Sequence, residues 1–161
     1  MKKIVAISDT HGNLKNIEQL YPLLEENDYI VHLGDGVTEI RAILSKFPQK
    51  TYFCEGNCDF LSALPDEGVL EIESVRIFYC HGHKYGVKTS LERLAEKAKS
   101  LDCQLALYGH THIAKISEID GVTLVNPGTM SYPLGKGGTY AYLVAHKNKI
   151  TPVVVGDGLR G

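Results

Sequence analysis

The chain has no pair of cysteines at C-x-x-C spacing. Its four cysteines, Cys54, Cys58, Cys80 and Cys103, stand apart, and Cys54 and Cys80 lie inside apolar runs. That pattern excludes a disulfide framework and fits a reduced, cytoplasmic protein. An excess of one charge is also missing: 17 Lys plus Arg face 19 Asp plus Glu, a net charge of −2. Broad gripping of a nucleic-acid backbone needs a positive surface, so stable nucleic-acid binding is not expected. No apolar stretch reaches membrane length. The run Ile4 to Ile7 behind Met1-Lys2-Lys3 is far too short for the apolar part of a signal peptide. Internal repeats, low-complexity tracts and Ser-, Pro- or Gly-rich linkers are absent, so one domain over residues 1–161 is expected. What is present is an ordinary globular composition, 43% hydrophobic and 22% charged. A chain of this size buries about two thirds of its unfolded surface without staples.

Apolar spacing gives the order of elements. Residues 3–8 read as a buried strand. Residues 14–25 read as one helix, with Leu14, Ile17, Leu20, Tyr21 and Leu24 at helical spacing. A strand at 29–33, a short helix at 38–46 ended by Pro48, and a strand at 51–54 follow. This βαβαβ order predicts parallel strands with right-handed crossovers. Residues 69–73 and 75–80, joined at Ser74, suggest an antiparallel pair. A helix over 90–99 carries Leu91, Leu94, Ala95 and Ala98, with Thr89 or Ser90 as its cap. A strand at 104–108 follows. The last third shows no helix, only strands at 115–119, 122–125, 140–145 and 150–155 between turn residues. The expected fold class is mixed α/β (α+β), two packed β-sheets with helices outside.

The polar residues fall at particular places. Five apolar strands run straight into ligand-type residues: into Asp9-Thr10-His11, Gly34-Asp35, Gly56-Asn57, His81-Gly82-His83 and Gly109-His110-Thr111-His112. Ligands of open α/β sheets sit at that carboxyl edge of the strands. Carboxylate, carbonyl and imidazole donors suit hard and borderline divalent ions. Asp35 has two oxygens and can bridge two ions, and the adjacent glycines let backbone come close. Taken singly, D-x-H, G-D or a loop histidine is an ordinary turn feature; the five together are not. His32, inside a strand, reads as a packed or hydrogen-bonded histidine, and His146 as a surface residue.

In this order the residues resemble the calcineurin-like metallophosphoesterase superfamily, whose signature is D-x-H, G-D, G-N-H-D or G-N-H-E, H, and G-H-x-H. Here these are Asp9-Thr10-His11, Gly34-Asp35, Gly56-Asn57-Cys58-Asp59, His81-Gly82-His83 and Gly109-His110-Thr111-His112, and Asn126-Pro127-Gly128-Thr129 is similar to the N-P-G-S segment of small members. The likeness is greatest to the small single-domain phosphodiesterases of bacteria and archaea. The resemblance implies a β-sandwich flanked by helices. It implies one ion held by Asp9, His11, Asp35 and His112, and a second held by Asp35, Asn57, His81 and His110. The implied activity is hydrolysis of a small phosphate ester, expected to be a diester, by a metal-bridging hydroxide. Manganese heads the expected metals, with iron, cobalt, nickel and zinc also suited. Cys58 replaces the family's histidine, the residue thought to protonate the leaving oxygen. The general acid is therefore open among Cys58, Asp59, His83, a metal-bound water and a leaving group that needs none. The competing readings are a protein-interaction scaffold of this fold, as in a retromer subunit, and a nuclease of the superfamily. A homo-oligomer is compatible with all of them.

Overall fold

The computed structural model describes residues 1–60 and 63–156. Strand β1 (Lys2–Ile7) leads into two short helices, α1 (Leu14–Glu18) and α2 (Tyr21–Glu26). Then come β2 (Tyr29–His32), α3 (Val37–Lys46), β3 (Thr51–Phe53), β4 (Glu67–Ile72) and β5 (Val75–Cys80). A 3-10 turn at His83–Tyr85 precedes α4 (Glu92–Ser100) and β6 (Leu105–Leu107). The described residues finish with β7 (Lys115–Ile119), β8 (Val122–Asn126), β9 (Thr139–His146) and β10 (Lys149–Gly156).

The strands form two five-stranded sheets, ordered β10-β9-β1-β2-β3 and β4-β5-β6-β8-β7. β1, β2 and β3 run parallel, as the βαβαβ order predicts. β4 and β5 form the expected antiparallel pair. β5, β6 and β8 are parallel; β7 and β10 are antiparallel edge strands, and β9 lies antiparallel between β10 and β1.

Alternation along β1 shows how the layers arise. Ile4 and Ala6 face the space between the sheets, packed with Ile77, Leu105 and Leu107 of the other sheet. Val5 and Ile7 point the other way, against Ile17, Leu20 and Ile43 of the helical side. Both faces are therefore covered, which is why the strand reads as an unbroken apolar run. The second sheet repeats this: Phe78, Ala106 and Leu124 meet Leu94, Ala95 and Ala98 of α4. The result is four layers, helix–sheet–sheet–helix. Each large aliphatic side chain buried here is worth about 1.5–3 kcal/mol.

Two local expectations need correction. Residues 14–25 are not one helix. The run breaks at Gln19-Leu20, and Pro22 sits in the first turn of α2, where its missing N–H costs nothing. Helix α4 begins at Glu92 rather than Ser90. The Ser90 hydroxyl accepts the Glu92 N–H at 3.1 Å, so it serves the first turn from outside the helix.

Candidate metal centre

β1, β2 and β3 of one sheet, and β5 and β6 of the other, all end at the same edge. Asp9 and His11 follow β1, Asp35 follows β2, His81 follows β5, and His110 and His112 follow β6. Backbone bonds tie the loops to each other: Asp9 N–H donates to Gly34 O at 3.0 Å, His11 N–H to Asp35 O at 2.9 Å, and Gly109 N–H to His81 O at 2.8 Å. Five of these residues have left-handed backbone: Asp9 (φ 55°), His11 (46°), Asp35 (60°), His110 (73°) and His112 (65°). Asp and His tolerate that region better than most residues, yet each costs of order 1 kcal/mol.

Two convergences of ligand atoms result. Asp9, His11 and His112 each place a ligand atom within 4.8 Å of the other two, and so do Asp35, His81 and His110. His11 Nε2 lies 3.2 Å from His112 Nε2. Asp9 Oδ1 lies 3.2 Å from His112 Nε2 and 3.6 Å from His11 Nε2. Asp35 Oδ2 stands between the groups, 3.2 Å from His81 Nε2 and 3.8 Å from His11 Nε2.

Hydrogen bonds aim these groups. Asp9 Oδ2 accepts the Ser8 hydroxyl at 2.6 Å and the His110 N–H at 3.1 Å. Its Oδ1 is buried with no hydrogen-bond partner among the described residues. His81 Nδ1 lies 2.7 Å from Leu33 O. A carbonyl can only accept, so Nδ1 carries a proton. Burial pushes the ring down, but Asp35, Asp9 and the Leu33 carbonyl outweigh it and raise His81; a bound cation would replace the second proton and leave the Nε2 lone pair turned to the site. That Nε2 is also buried and outside hydrogen-bond geometry. A divalent cation would satisfy both orphaned atoms, so the residues fit a metal centre.

The charges agree. Burial pushes the Asp9 carboxyl up, with His81 and the Ser8 hydroxyl pulling against it. Burial pushes Asp35 up as well, but His81, the Cys58 N–H and His11 outweigh it and hold Asp35 well below the usual carboxylate range. Burial followed by the charges of His81 and Lys88 pushes His110 down to about 4, so it is a neutral donor at neutral pH.

The segment after β3 holds the remaining expected residues. Gly56 has no room for a side chain, because a Cβ there would collide with the Asp35 carboxylate. Asn57 is exposed, with its amide Nδ2 3.5 Å from Cys58 Sγ. Cys58 is exposed; its N–H donates to Asp35 Oδ1 at 2.8 Å. Partial burial and the neighbouring Asp35 charge push its thiol up. Asp59 is buried, and its oxygens accept the N–H groups of Asp35, Gly36, Val37 and Gly56 at 2.7–3.2 Å. Through those four donors Asp59 pins the loops that carry Asp35 and Gly56. His83 lies half-buried beside the centre, its ring 5.4 Å from that of His81 and 6.2 Å from that of His110. Burial, then His81 and Lys84, push it below its ordinary value.

Two cavities flank this loop. One of about 220 Å3 is walled by His11, Asp35, Glu39, Cys58 and Asp59. The other, about 340 Å3, is walled by Glu55, Gly56, Asn57, Phe60 and His83. A larger apolar cavity of about 490 Å3, lined by Val87, Leu91, Tyr108 and Ile113, includes none of the ligand-type residues. Supporting residues that the motif does not mark are Ser8, Thr10, Glu39, Asn126 and Thr129. Thr129 Oγ1 donates to Asp9 O at 2.7 Å, and Asn126 Nδ2 to Gly109 O at 3.1 Å. Only the N-P-G-T run hinted at the last two.

Paired carboxylates and clustered imidazoles at the joined carboxyl edges of a four-layer sandwich define a metallohydrolase-type protein. Among such proteins the chain belongs to the calcineurin-like phosphoesterase superfamily, whose domain model matches residues 1–148. It is 30% identical over 151 residues to a probable metallophosphoesterase of Bacillus subtilis, covering 92% of this chain and 87% of that one. It is 28% identical over 148 residues to a phosphodiesterase of Methanocaldococcus jannaschii, covering 78% of this chain and 82% of the other. In fold it is similar to vacuolar protein sorting 29 of Cryptosporidium parvum, with a TM-score of 0.82, 21% identity, and coverage of 98% and 93%. No helix among the described residues is long and apolar enough to cross a membrane.

Proposed function

We propose that the chain is a phosphodiesterase acting on a small phosphate diester at a centre of two divalent ions. One ion is held by Asp9, His11, Asp35 and His112, the other by Asp35, Asn57, His81 and His110. The reading is carried by the two convergences of ligand atoms with Asp35 Oδ2 facing both His11 and His81. Bound divalent ions would supply Lewis acidity toward the phosphoryl oxygens and a water of lowered pKa. Asp35 joins the two positions, and the Leu33 carbonyl keeps His81 aimed. Carboxylate, imidazole and amide donors admit manganese, iron, cobalt, nickel and zinc, and of these the family resemblance favours manganese. The four free cysteines are consistent with work in a reducing cytoplasm, and residues 1–161 with a single working domain.

Three features favour a diester. Cys58 occupies the place of the family's histidine, and Asp59 is committed to backbone donors. Burial, then His81 and Lys84, lower His83, which makes it a poorer holder of a proton to give. The centre therefore lacks the imidazole acid of the family's usual motif, which matters least for a good leaving group. The relative described as a phosphodiesterase supports the same substrate class, and the two modest cavities support a small substrate.

The test is kcat/KM on aryl phosphate diesters and monoesters, with chelator-stripped protein reloaded with manganese. The stripped protein should be inactive, and the reloaded one at least about tenfold faster on diesters, a difference of about 1.4 kcal/mol in barrier. Faster monoester hydrolysis would overturn the diester assignment.

A further inference from the structure

Cys54, Cys80 and Cys103 are shut in the core, while Cys58 is exposed. Its sulfur belongs to a third convergence: His11, Asp35 and Cys58 each place a ligand atom within 4.8 Å of the other two. His11 and Asp35 are shared with the two clusters above, so the thiol borders a position that those clusters already face. Backbone holds it there. The Cys58 N–H donates to Asp35 Oδ1 at 2.8 Å, and Asp59 Oδ2 accepts both Asp35 N–H at 2.7 Å and Gly56 N–H at 2.8 Å. Tetrahedral ligation at about 2.0–2.3 Å sets ligand atoms roughly 3.3–3.8 Å apart. A side-chain rotation moving an atom by about 1 Å closes the set.

Two further groups point to a cation at this end. Asp9 Oδ1, buried and without a hydrogen-bond partner among the described residues, lies 3.6 Å from His11 Nε2. Glu39 is fully buried, its Oε2 also has no partner among the described residues, and it walls the 220 Å3 cavity together with His11, Asp35 and Cys58. Buried carboxylate oxygens without donors are costly until a cation compensates them.

We propose that Cys58 is a conditional metal ligand, whose thiolate joins His11 and Asp35 on one ion when that ion is zinc, cobalt or cadmium, and which stays a thiol with manganese. The inference rests on the metal-centre reading above. Thiolate favours soft and borderline ions, whereas carboxylate and water suit manganese. As the sulfur–metal bond forms, the S–H bond breaks and the proton passes to solvent, with no change of oxidation state. The same centre would then hold thiophilic ions more tightly than its oxygen and nitrogen donors alone allow, and with less Lewis acidity, because the thiolate adds negative charge.

The experiment is a cadmium titration of stripped protein, following the ultraviolet sulfur-to-cadmium charge-transfer absorption and bound cadmium in parallel, with manganese as the companion ion. In the wild type the band should rise with bound cadmium and be absent with manganese. Cys58→Ser and Cys58→Ala should abolish the band and weaken cadmium binding at least roughly tenfold, the scale on which even indirect ligand partners act. Their manganese content should match that of the wild type. Wild-type protein that binds cadmium without the band, or variants that keep it, would overturn the proposal. A chain that takes up neither ion would overturn the metal-centre reading as well, and is told apart by the manganese arm.

Discussion

Gly34 N–H donates to His32 Nδ1 at 3.1 Å, so Nε2 carries the ring proton and meets Thr10 Oγ1 at 3.0 Å. Thr10 in turn donates to Glu39 Oε1 at 2.6 Å, which also accepts Gly12 N–H at 2.8 Å. A second proton on His32 would face the Gly34 N–H inside a fully buried site. Burial, then His81, accordingly pushes His32 down from 6.5 to about 3. The sign follows from linkage. Above pH 6.5 the ring is neutral both folded and unfolded. Between pH 6.5 and about 3 the unfolded chain takes up the proton and the folded chain does not, so stability is lost as the pH drops through that window. The slope from this one group is at most about 1.4 kcal/mol per pH unit. For His32→Gln, urea unfolding in chelator should give a variant less stable than wild type at pH 7, with the gap narrowing by roughly 2 kcal/mol at pH 4.5. Parallel losses in the two proteins would remove His32 from the acid response. Its packed state was legible from its place inside an apolar strand. The Thr10–Glu39 chain was not, because its members lie 22 to 29 residues apart and meet only through the fold. The commitment of Asp59 was hidden likewise: the motif marks an acidic residue, but not the four backbone donors that converge on it.

At the scale of elements, unbroken apolar runs ending in Asp, His and Gly were the most readable feature, because strands buried on both faces leave little room for polar residues before the tip. The local geometry of the tips was less readable. Left-handed backbone at five ligand residues does not follow from residue type alone; at Asp9, His11 and Asp35 it goes with bonds between the loops. The split at Gln19-Leu20 was visible only as Pro22, and apolar spacing ran across it. The loop after β3 shows how an element holds chemistry in place. Gly56 passes so close to Asp35 that an added methyl meets the carboxylate and its backbone nitrogen. Gly56→Ala should therefore cost roughly 1–3 kcal/mol, the usual range for overpacking, and displace Asp35 enough to weaken metal uptake. Urea unfolding with parallel metal analysis checks this. A variant within 0.5 kcal/mol of wild type, the ordinary scatter of surface substitutions, and with full metal content would show that the close approach is not needed.

For the whole molecule, two sheets pressed face to face place the carboxyl ends of β1, β2 and β3 beside those of β5 and β6, so ligand-type residues from residue 9 to residue 112 meet at one edge. Neither sheet alone carries both clusters: Asp9, His11 and Asp35 come from one, His81, His110 and His112 from the other. Asp35 joins them, with Oδ2 facing His11 and His81 and Oδ1 tied to the Cys58 N–H. Removing its charge should weaken both ion positions at once, which loss of a ligand to a single ion cannot do. The measurement that bears most directly on this is bound manganese per chain after reloading, in the wild type and in Asp35→Asn. The account predicts about two ions in the wild type and fewer than one in the variant. A wild type saturating at one ion or none, or an Asp35→Asn variant that still holds two, would contradict it.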